Sequence, residues 1–258
     1  MKRSNKNGFL VKHRVSQGTF IIEFGKLHRV LSSAPRGGGL VRARSILNHY
    51  VQANPLFRVG QGMPDRHGRT QWADPARYLG RVASRLKAAS PIVALMTAVP
   101  MKQLVKDREE SGGIWVECFC TVGVTNAVRA GEPGFYDGRR RRCDRVGTIN
   151  IILVTNATLA VPAMVGAVQV ATESKAAALM EKSVRSSSGV RYATGTGTDA
   201  VVVVSSIDGI LRVQYSGTHT CLGSMIGRLV VRCVREGLAR SGRWHTTAQG
   251  LNARNKPL

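Results

Sequence analysis

The sequence has few acidic residues and few aromatic ones. Only 15 Asp and Glu stand against 38 Lys and Arg, which gives a formal net charge of +23, and aromatic residues make up 5% of the chain. No apolar run approaches the roughly 18 residues needed to span a bilayer, and the basic start lacks the apolar segment of a secretory signal. These absences argue against a membrane protein and predict a cytoplasmic one, with a core of Val, Ala, Leu and Ile.

Metal and thiol chemistry have little support in the sequence. The five cysteines are odd in number and none has C-x-x-C spacing, so neither a disulfide framework nor a zinc site is predicted. The chain also has no H-E-x-x-H helix motif and no G-x-S-x-G nucleophile turn. We therefore predict no protein-bound metal and no cofactor. We expect reduced, mostly buried thiols at Cys118, Cys120, Cys143, Cys221 and Cys233.

The excess of positive charge would attract nucleic acid without sequence preference. The most compact basic run, "GRRRRCDR" at 138–145, has no interleaved aromatic residues, and the chain has no zinc-finger, ribonucleoprotein or basic-zipper motif. A nucleic-acid partner is therefore not predicted. A basic nucleic-acid-binding module stays an alternative, which a steep salt dependence of duplex binding would identify.

Hydrophobic periodicity predicts alternating strands and helices. Runs rich in β-branched residues predict strands at 19–24, 28–34, 91–99, 114–124 and 147–156, and a hairpin of 199–206 with 210–216 around Asp208 and Gly209. Helical spacing predicts helices at 40–51, 74–86, 101–110, 159–182 and 222–241, the second of them beginning with the pair Asp74 and Pro75.

This order of elements predicts one α/β (or α+β) domain with a mixed central sheet flanked by helices. The domain is expected to span residues 16–243. Residues 1–15 are expected to be a flexible basic segment and residues 244–258 a disordered tail, and residues 53–72 are expected to form a long loop.

Two Gly-rich corners carry polar residues where strands end. The stretch "SSAPRGGG" begins with Ser32 and Ser33 and ends with Gly37, Gly38 and Gly39, whose backbone N–H groups no side chain covers. The stretch "TVGVTNAVRAG" places Asn126 after a strand end, where side chains reach ligands in open α/β sheets. Each corner can also be read as an ordinary turn.

A third stretch, "TESKAAALMEKSVRSSSGVRYATGTGTD", combines acids with hydroxyls. Glu173 stands in a helix segment of small residues, which predicts its burial. Thr194, Thr196 and Thr198 alternate with glycines, so an extended strand would align the three hydroxyls on one face and point Asp199 to the other. The alternative is an edge strand with exposed threonines.

A fourth stretch, "YSGTHTCLGSMIG", contains His219 between a predicted strand and a predicted helix. Of the six histidines, it alone lies in a Gly-flanked corner of this kind. A structural role is the ordinary expectation for a single histidine. Together, the four stretches predict a polar cleft with one imidazole and a few carboxylates, suited to acid/base hydrolysis without a metal.

In this order, the four stretches resemble the adenosylcobinamide amidohydrolase family of cobinamide salvage. The resemblance extends from "LSSAPRGGGL" to the last helix and includes "LMTAVPM", "TVGVTNAVRAG", "GTINIILVTNATL", "AMVGAVQVATESKAAAL", "ATGTGTDAVVVV" and "GTHTCLGSMIGRLV". It implies hydrolysis of the amide that joins aminopropanol to a propionate of the corrin ring, which gives adenosylcobyric acid. The cobalt would belong to this corrinoid substrate and not to the protein.

The resemblance supplies no catalytic mechanism, so the roles of the residues are hypotheses. Amide hydrolysis needs a base, an acid for the departing amine and donors for the developing oxyanion. We expect His219 to act as general base or acid, with Glu173 or Asp199 as its carboxylate partner or as the alternative base. Oxyanion donors would come from the N–H groups of 37–39 or from Asn126.

The hydroxyl residues complete the predicted site. Thr194, Thr196 and Thr198 would hydrogen-bond the amide groups around the corrin. A covalent route through Ser32, Ser33 or Thr196 stays open. Two further alternatives are a corrinoid-binding protein without turnover and a hydrolase for another secondary amide, and the sequence does not predict the oligomeric state.

Overall fold

The structure is a computed structural model that describes residues 11–51, 74–133, 147–209 and 211–254, with side chains up to residue 242. The strands are β1 (His13–Ser16), β2 (Thr19–Ser32), β3 (Gly39–Tyr50), β4 (Ile92–Thr97), β5 (Val105–Ser111), β6 (Ile114–Val122), β7 (Ala127–Val128), β8 (Ile149–Thr155), β9 (Thr158–Leu159), β10 (Gly195–Thr196), β11 (Ala200–Ser205) and β12 (Arg212–Val213). The helices are α1 (Pro75–Arg85), α2 (Val161–Glu181) and α3 (Cys221–Arg254), with a short 3-10 turn at Met101–Gln103.

Eight strands form one mixed sheet in the order β4-β3-β2-β11-β8-β6-β5, with β1 paired to β2. The pairs β3/β4 and β8/β11 are parallel, and the other pairs are antiparallel. Two small two-stranded sheets, β7/β10 and β9/β12, lie outside it. The predicted single α/β domain with a mixed central sheet is confirmed.

The sheet curls back over itself. The rings of Phe20 on β2 and Phe119 on β6 lie 5.1 Å apart between centroids, although β11 and β8 separate those strands in the sheet. Ile152 of β8 faces this inner core, whereas Ile151 and Leu153 face α2 and α3. Each buried strand therefore contributes alternate residues to two different cores, as the two-residue period of a strand requires.

A third core covers the outer face of β2, β3 and β4. Leu79 and Val82 of α1 pack there against Ile21 and Leu47. The molecule thus has four layers: α2 with α3, one part of the sheet, the other part of the sheet, and α1. Such an arrangement buries both faces of the central strands, which explains why their sequences are nearly continuous apolar runs.

Several predicted elements are confirmed at nearly their expected bounds. The strands predicted at 91–99, 114–124 and 147–156 are β4, β6 and β8. The helices predicted at 159–182 and 222–241 are α2 and α3. Helix α1 begins as expected, because the Asp74 carboxylate accepts a hydrogen bond from the backbone N–H of Arg77 at 2.8 Å and Pro75 follows the cap. The strands predicted at 19–24 and 28–34 form one strand, β2, with a pairing irregularity between Glu23 and His28.

The helix predicted at 40–51 is wrong, because this segment is strand β3. Residues 45–49 are buried in succession, with neighbours on both faces of the sheet. Burial on both faces removes the alternation of polar and apolar residues by which a strand is recognised.

The helix predicted at 101–110 is also wrong, because most of it is the edge strand β5. Asp107 and Glu109 stand two residues apart, so they project from the same face of that strand. Both carboxylates form ion pairs with Arg232 of α3, and Glu109 pairs with Arg228 as well. Tertiary contacts have overridden the helical propensity of the segment.

The hairpin predicted around Asp208 and Gly209 does not form. Strand β11 lies between β2 and β8, so both of its edges are occupied, and β12 pairs with β9 instead. Within the described residues, no helix combines the length and the hydropathy that a membrane span requires.

Some sequence predictions fall where the structure gives no test. The predicted loop at 53–72, Cys143 and the basic run at 138–145 lie outside the described residues. The domain bounds at 16 and 243 stay predictions, although β1 and α3 both extend across them.

Candidate functional site

A hydrogen-bonded cluster surrounds Asp199, directly before β11. Its Oδ2 accepts hydrogen bonds from Lys175 Nζ at 2.5 Å and from the backbone N–H of Thr196 at 2.9 Å. Its Oδ1 accepts from the Thr196 hydroxyl at 2.5 Å and from the backbone N–H of Ile149 at 2.8 Å. Four donors therefore fix one carboxylate, and one of them is a side-chain hydroxyl. We call Asp199, Lys175, Thr196 and the Ile149 N–H the Asp199 cluster.

Lys175 is the member of this cluster that the sequence prediction missed. It lies on α2 with 7% of its surface exposed, between the buried residues Ala171 and Ala178 on the same helix face. The sequence indicates that Lys175 shares a helix face with two small residues, because it follows Ala171 by four residues and precedes Ala178 by three. A lysine buried to this extent needs a partner, and Asp199 is that partner.

Gly195 makes room for the ion pair. A Cβ at this position would clash with the Asp199 carboxylate and would lie 2.7 Å from Lys175 Nζ. Gly195 is therefore required for close packing of the backbone against the charged pair, as a glycine within a strand often is.

The residues before Asp199 form a turn and not the extended strand that the sequence predicts. Strand β10 ends at Thr196, and Gly197 and Thr198 turn the chain so that Asp199 meets the Thr196 hydroxyl. The expectation that Asp199 points away from Thr196 is wrong, because the two-residue period applies only to extended backbone. Gly197 and Thr198 are exposed, and a Cβ at Gly197 would meet nothing within 4 Å, so the cluster faces solvent at this turn.

The other two threonines contact neighbouring loops. Thr194 Oγ1 accepts a hydrogen bond from the backbone N–H of Ala130 at 2.8 Å, and Thr198 Oγ1 donates to the Gly147 carbonyl at 3.1 Å. Both hydroxyls thus tie the turn to the segments on either side of it. The three threonines and Asp199 do lie together, although on a turn.

Asn126 lies beside the same turn. An added Cβ at Gly147 would lie 2.6 Å from Asn126 Oδ1, and Gly147 accepts the hydrogen bond from Thr198. The Oδ1 atom of Asn126 is buried and has no hydrogen-bond partner among the described residues. The sequence prediction that places Asn126 near Thr198 and Asp199 therefore agrees with the geometry.

A buried chain of amides and hydroxyls leads from this turn into the inner core. Thr148 Oγ1 donates to the Thr198 carbonyl at 2.8 Å and lies 3.4 Å from Asn150 Oδ1. Asn150 donates to Asn48 Oδ1 at 2.9 Å, and Asn48 donates to Thr121 Oγ1 at 3.0 Å. Because an unpaired buried amide is costly, this chain fixes the relative positions of the two sheet parts near the site.

Ser32 and Ser33 lie at the end of β2, beside the start of β11. Ser33 Oγ accepts a hydrogen bond at 3.2 Å from the backbone N–H of Val201, and Val201 follows Asp199 by two residues. Ser32 is buried and accepts from the Ala34 N–H at 3.4 Å. Both hydroxyls therefore hold backbone near the Asp199 cluster.

The glycines at 37–39 have structural explanations. A Cβ at Gly37 would lie 2.6 Å from the Ile92 carbonyl oxygen, and one at Gly38 would lie 2.5 Å from that of Ala34. Gly39 has φ +85°, a conformation that favours glycine. The proposed role of this turn as an oxyanion-binding site stays a prediction.

His219 lies beyond the opposite end of β11. The segment before it is anchored at the start of α2, where Ser216 Oγ donates to the Ala163 carbonyl at 2.6 Å. Lys175 is twelve residues further along α2, about 18 Å at about 1.5 Å per residue. His219 is exposed and makes no hydrogen bond within the described part of the chain. The expected pairing of His219 with Asp199 is therefore wrong.

Glu173 is exposed, so the expectation that it is buried is wrong. It precedes Lys175 by two residues on α2, and positions two apart on a helix do not share a face. Glu173 therefore points to solvent while Lys175 points into the Asp199 cluster. No observation tests catalytic roles for Glu173 or His219, and these stay predictions.

The buried thiols nearby are unsuited to nucleophilic attack. Burial raises the pKa of Cys120 well above its ordinary value, and neighbouring Cys233 and Asp199 raise it further against the opposing effect of Lys175. A protonated thiol is a poor nucleophile. Cys118, Cys120 and Cys233 are free and buried, and Cys221 is free and exposed. Most of the described thiols are therefore buried, as expected.

The candidate site is marked by its polar contacts and not by a metal cluster or by either of the two best-defined depressions in the described part of the chain. Among the described residues, no three His, Cys, Asp or Glu side chains are grouped as metal ligands would be. Two surface depressions, of about 560 and about 350 Å³, lie beside α1 and beside β9 and include no residue of the Asp199 cluster. We place the candidate site at the cluster because a hydroxyl, a carboxylate and an ammonium meet there.

Comparison with known proteins decides the family. The family model described as adenosylcobinamide amidohydrolase matches residues 4–246. The chain belongs to the adenosylcobinamide amidohydrolase family. The match begins well before residue 31, at which the predicted resemblance begins, and it includes every residue of the Asp199 cluster.

Two relatives in this comparison differ in how they are described. An uncharacterized protein of Methanocaldococcus jannaschii is 32% identical over 237 residues, which cover 86% of each chain. The adenosylcobinamide amidohydrolase of Methanosarcina mazei is 30% identical over 176 residues, which cover 65% of this chain and 76% of that protein.

Solved structures are only distantly similar. A Burkholderia beta-aminopeptidase matches 87% of this chain and 78% of its own, with a TM-score of 0.39 and 11% identity. A protein of Pyrococcus horikoshii matches 92% of this chain and 81% of its own, with the same score and identity. Likeness at this level carries no argument about the chemistry of the family.

Proposed function

We propose that this protein hydrolyses the amide between aminopropanol and a propionate of the corrin ring in adenosylcobinamide, which yields adenosylcobyric acid. Family membership supports the substrate class. The observation that carries the chemistry is the contact of the Thr196 hydroxyl with Asp199 Oδ1 at 2.5 Å, while Lys175 Nζ holds Oδ2 at the same distance. A hydroxyl within hydrogen-bond reach of an oriented base is the arrangement that nucleophilic catalysis requires.

In the first step, the Thr196 oxygen attacks the carbonyl carbon of the substrate amide, and the hydroxyl proton passes to Asp199. The tetrahedral intermediate then breaks its carbon–nitrogen bond. The departing amine takes up a proton from Asp199 and leaves as aminopropanol. The corrin propionate stays bound to Thr196 as an ester.

In the second step, water attacks the ester carbonyl and gives its proton to Asp199. The carbon–oxygen bond to Thr196 breaks, the Thr196 oxygen recovers a proton, and the corrinoid leaves as a carboxylic acid. The direct attack of an Asp199-activated water on the amide is the alternative within the same cluster.

Lys175 and the Ile149 N–H keep the Asp199 carboxylate in place through both steps. The side-chain amide of Asn126 is our candidate donor for the developing oxyanion, because it lies beside the turn that carries Thr198. We propose that the exposed Thr198 and the partly exposed Thr194 bind amide groups around the corrin.

The proposed reaction uses no protein-bound metal, and the cobalt belongs to the substrate. Chelation tests this proposal directly. Activity should persist after dialysis against EDTA, and a loss that zinc restores would contradict it. The cytoplasmic location stays a prediction from the sequence.

The roles predicted for His219 and Glu173 stand as the rival hypothesis. In that version, an imidazole at the other end of β11 activates water, and Thr196 only positions the substrate. Because the two ends of β11 are apart, the rival requires a site that does not include Asp199.

The proposal is tested by incubating the protein with adenosylcobinamide and detecting adenosylcobyric acid and aminopropanol by mass spectrometry. We expect both products in equal amounts. Saturable binding of adenosylcobinamide without aminopropanol release would identify a corrinoid-binding protein instead. Release of amines from unrelated secondary amides at a similar rate would contradict the corrinoid specificity.

A further inference from the structure

A second polar surface lies beside α1. A depression of about 560 Å³ is bounded by Arg36, from the turn between β2 and β3, and by α1 residues that include Arg77 and Arg81. Because Arg77 and Arg81 are four residues apart, their side chains lie on the same face of the helix. Three arginines therefore line one depression.

Arg36 is held in position by the fold. Its backbone N–H donates to the Ala94 carbonyl at 3.4 Å, and its carbonyl accepts from the Ala94 N–H at 2.9 Å. Its guanidinium Nη1 donates to the Ala76 carbonyl at 3.3 Å. The guanidinium also lies against Gly80, where an added Cβ would be 3.1 Å from Cζ. A positioned arginine loses less freedom on binding an anion than a mobile one does.

The positive charge in this depression is poorly compensated. Asp74 is the carboxylate among its lining residues. The Oδ1 atom of Asp74 caps α1, and its Oδ2 atom is 4.0 Å from Arg77 Nε. Both side chains of this pair are largely exposed, Arg77 by 73% and Asp74 by 58%. Within the described part of the chain, Arg36 and Arg81 have no carboxylate partner.

We propose that this depression binds the phosphate group of a small phosphorylated ligand. The planar guanidinium presents paired donors that match the oxygens of a phosphate, and several of them together favour a multiply charged anion. The site is separate from the Asp199 cluster, so the proposal does not depend on the proposed function.

Binding is measured by calorimetry on the full chain, with inorganic phosphate, ATP and adenosine as probes. We expect saturable binding of phosphate and tighter binding of ATP, and no binding of adenosine. Arg36→Met and Arg81→Met should each weaken ATP binding about tenfold or more, since each removes charge-assisted hydrogen bonds. Arg85→Met removes the same charge from the same helix outside the depression, and it should change affinity less than about twofold.

Gly80→Ala gives a test that keeps every charge. The new methyl group would lie 3.1 Å from the Arg36 guanidinium carbon and would shift the guanidinium by a few tenths of an ångström, while alanine favours the helix. We expect ATP binding to weaken several-fold with folding intact. The proposal would be overturned if the wild type bound neither phosphate nor ATP saturably. It would also be overturned if Arg85→Met and Arg81→Met lost the same affinity, or if the affinity of Gly80→Ala were unchanged. Binding of an RNA oligomer that outcompetes ATP and grows with RNA length would assign the surface to nucleic acid instead and also overturn it.

Discussion

The two ends of strand β11 hold similar residues in different surroundings. At one end, Thr196 and Asp199 contact each other and the buried Lys175. At the other end, Thr220 Oγ1 accepts from the Gly223 N–H at 3.0 Å at the start of α3, and His219 beside it is exposed. Glycine, threonine and one ionisable residue occur in both corners. The buried counter-charge distinguishes the corner at which we propose the chemistry from the one that caps a helix.

The largest expected effect is at Thr196. Replacing its hydroxyl by a methyl group in Thr196→Val keeps the shape and removes the nucleophile, so kcat for adenosylcobinamide hydrolysis should fall about 10³-fold. Thr196→Ser is the matched control, and it should keep most of the activity. Similar rates in the Val and Ser variants would show that the hydroxyl takes no part in the reaction.

The second-largest expected effect is a loss of folding stability when Lys175 is replaced. Lys175→Met leaves the Asp199 carboxylate buried without its counter-charge, which should lower the free energy of unfolding by about 3–5 kcal/mol. Urea denaturation measures the loss, and Lys182→Met, at an exposed position just after the same helix, is the control. The double variant Lys175→Met with Asp199→Asn should recover part of the loss. A decrease below about 1 kcal/mol would show that the pair is not a buried, coupled unit.

The buried imidazole of His49 sharpens the contrast with the exposed one of His219. His49 Nδ1 lies 2.7 Å from Thr19 Oγ1, and Nε2 lies 3.0 Å from the Tyr78 hydroxyl. Burial, assisted by the charge of Arg85, lowers the pKa of His49 from 6.5 to about 4. The folded state therefore holds a neutral imidazole where the unfolded chain binds a proton.

Between the two pKa values of His49, stability should fall as the pH falls from about 6.5 to about 4. The contribution of this one group has an upper limit of about 3 kcal/mol. Unfolding in urea at about pH 7 and about pH 4.5 measures it as the difference between the wild type and His49→Gln. An equal loss in both proteins would assign the pH dependence to other groups.

The smallest expected effect is at Glu173. Because its side chain is exposed and turned away from Lys175, Glu173→Gln should change kcat less than about twofold. Steady-state kinetics with adenosylcobinamide measure this change. A loss of 10²-fold or more would restore Glu173 to the mechanism as the sequence predicted it.

Local signals in the sequence predict much of the fold. The Asp74 cap, the β-branched run of β8 and the apolar spacing of α3 each determine their own element. Predictions failed where tertiary contacts decide the structure. Strand β3 is hidden because it is buried on both faces, and β5 is a charged strand whose acids bind arginines of α3.

The sequence predicts only part of the site, because some of its contacts also join residues that are distant in the chain. Asn126 is predicted from its position after a strand and Asp199 from the Gly/Thr stretch that precedes it, and the structure brings both to one turn. The position of His219 after a predicted strand also predicts a role for it, but the direction of β11 places it at the far end. That direction follows from strand order, which the local sequence does not specify. Lys175 was overlooked because its partner is 24 residues away in the chain.

The central claim is that the amide is cleaved at the Asp199 end of β11, and one comparison of rates tests it most directly. In a single assay with adenosylcobinamide, kcat is measured for Asp199→Asn and for His219→Gln, each shown to be folded by circular dichroism. We predict a loss of about 10³-fold in Asp199→Asn and a change of less than about twofold in His219→Gln. A large loss in His219→Gln with near-normal turnover in Asp199→Asn would contradict the account.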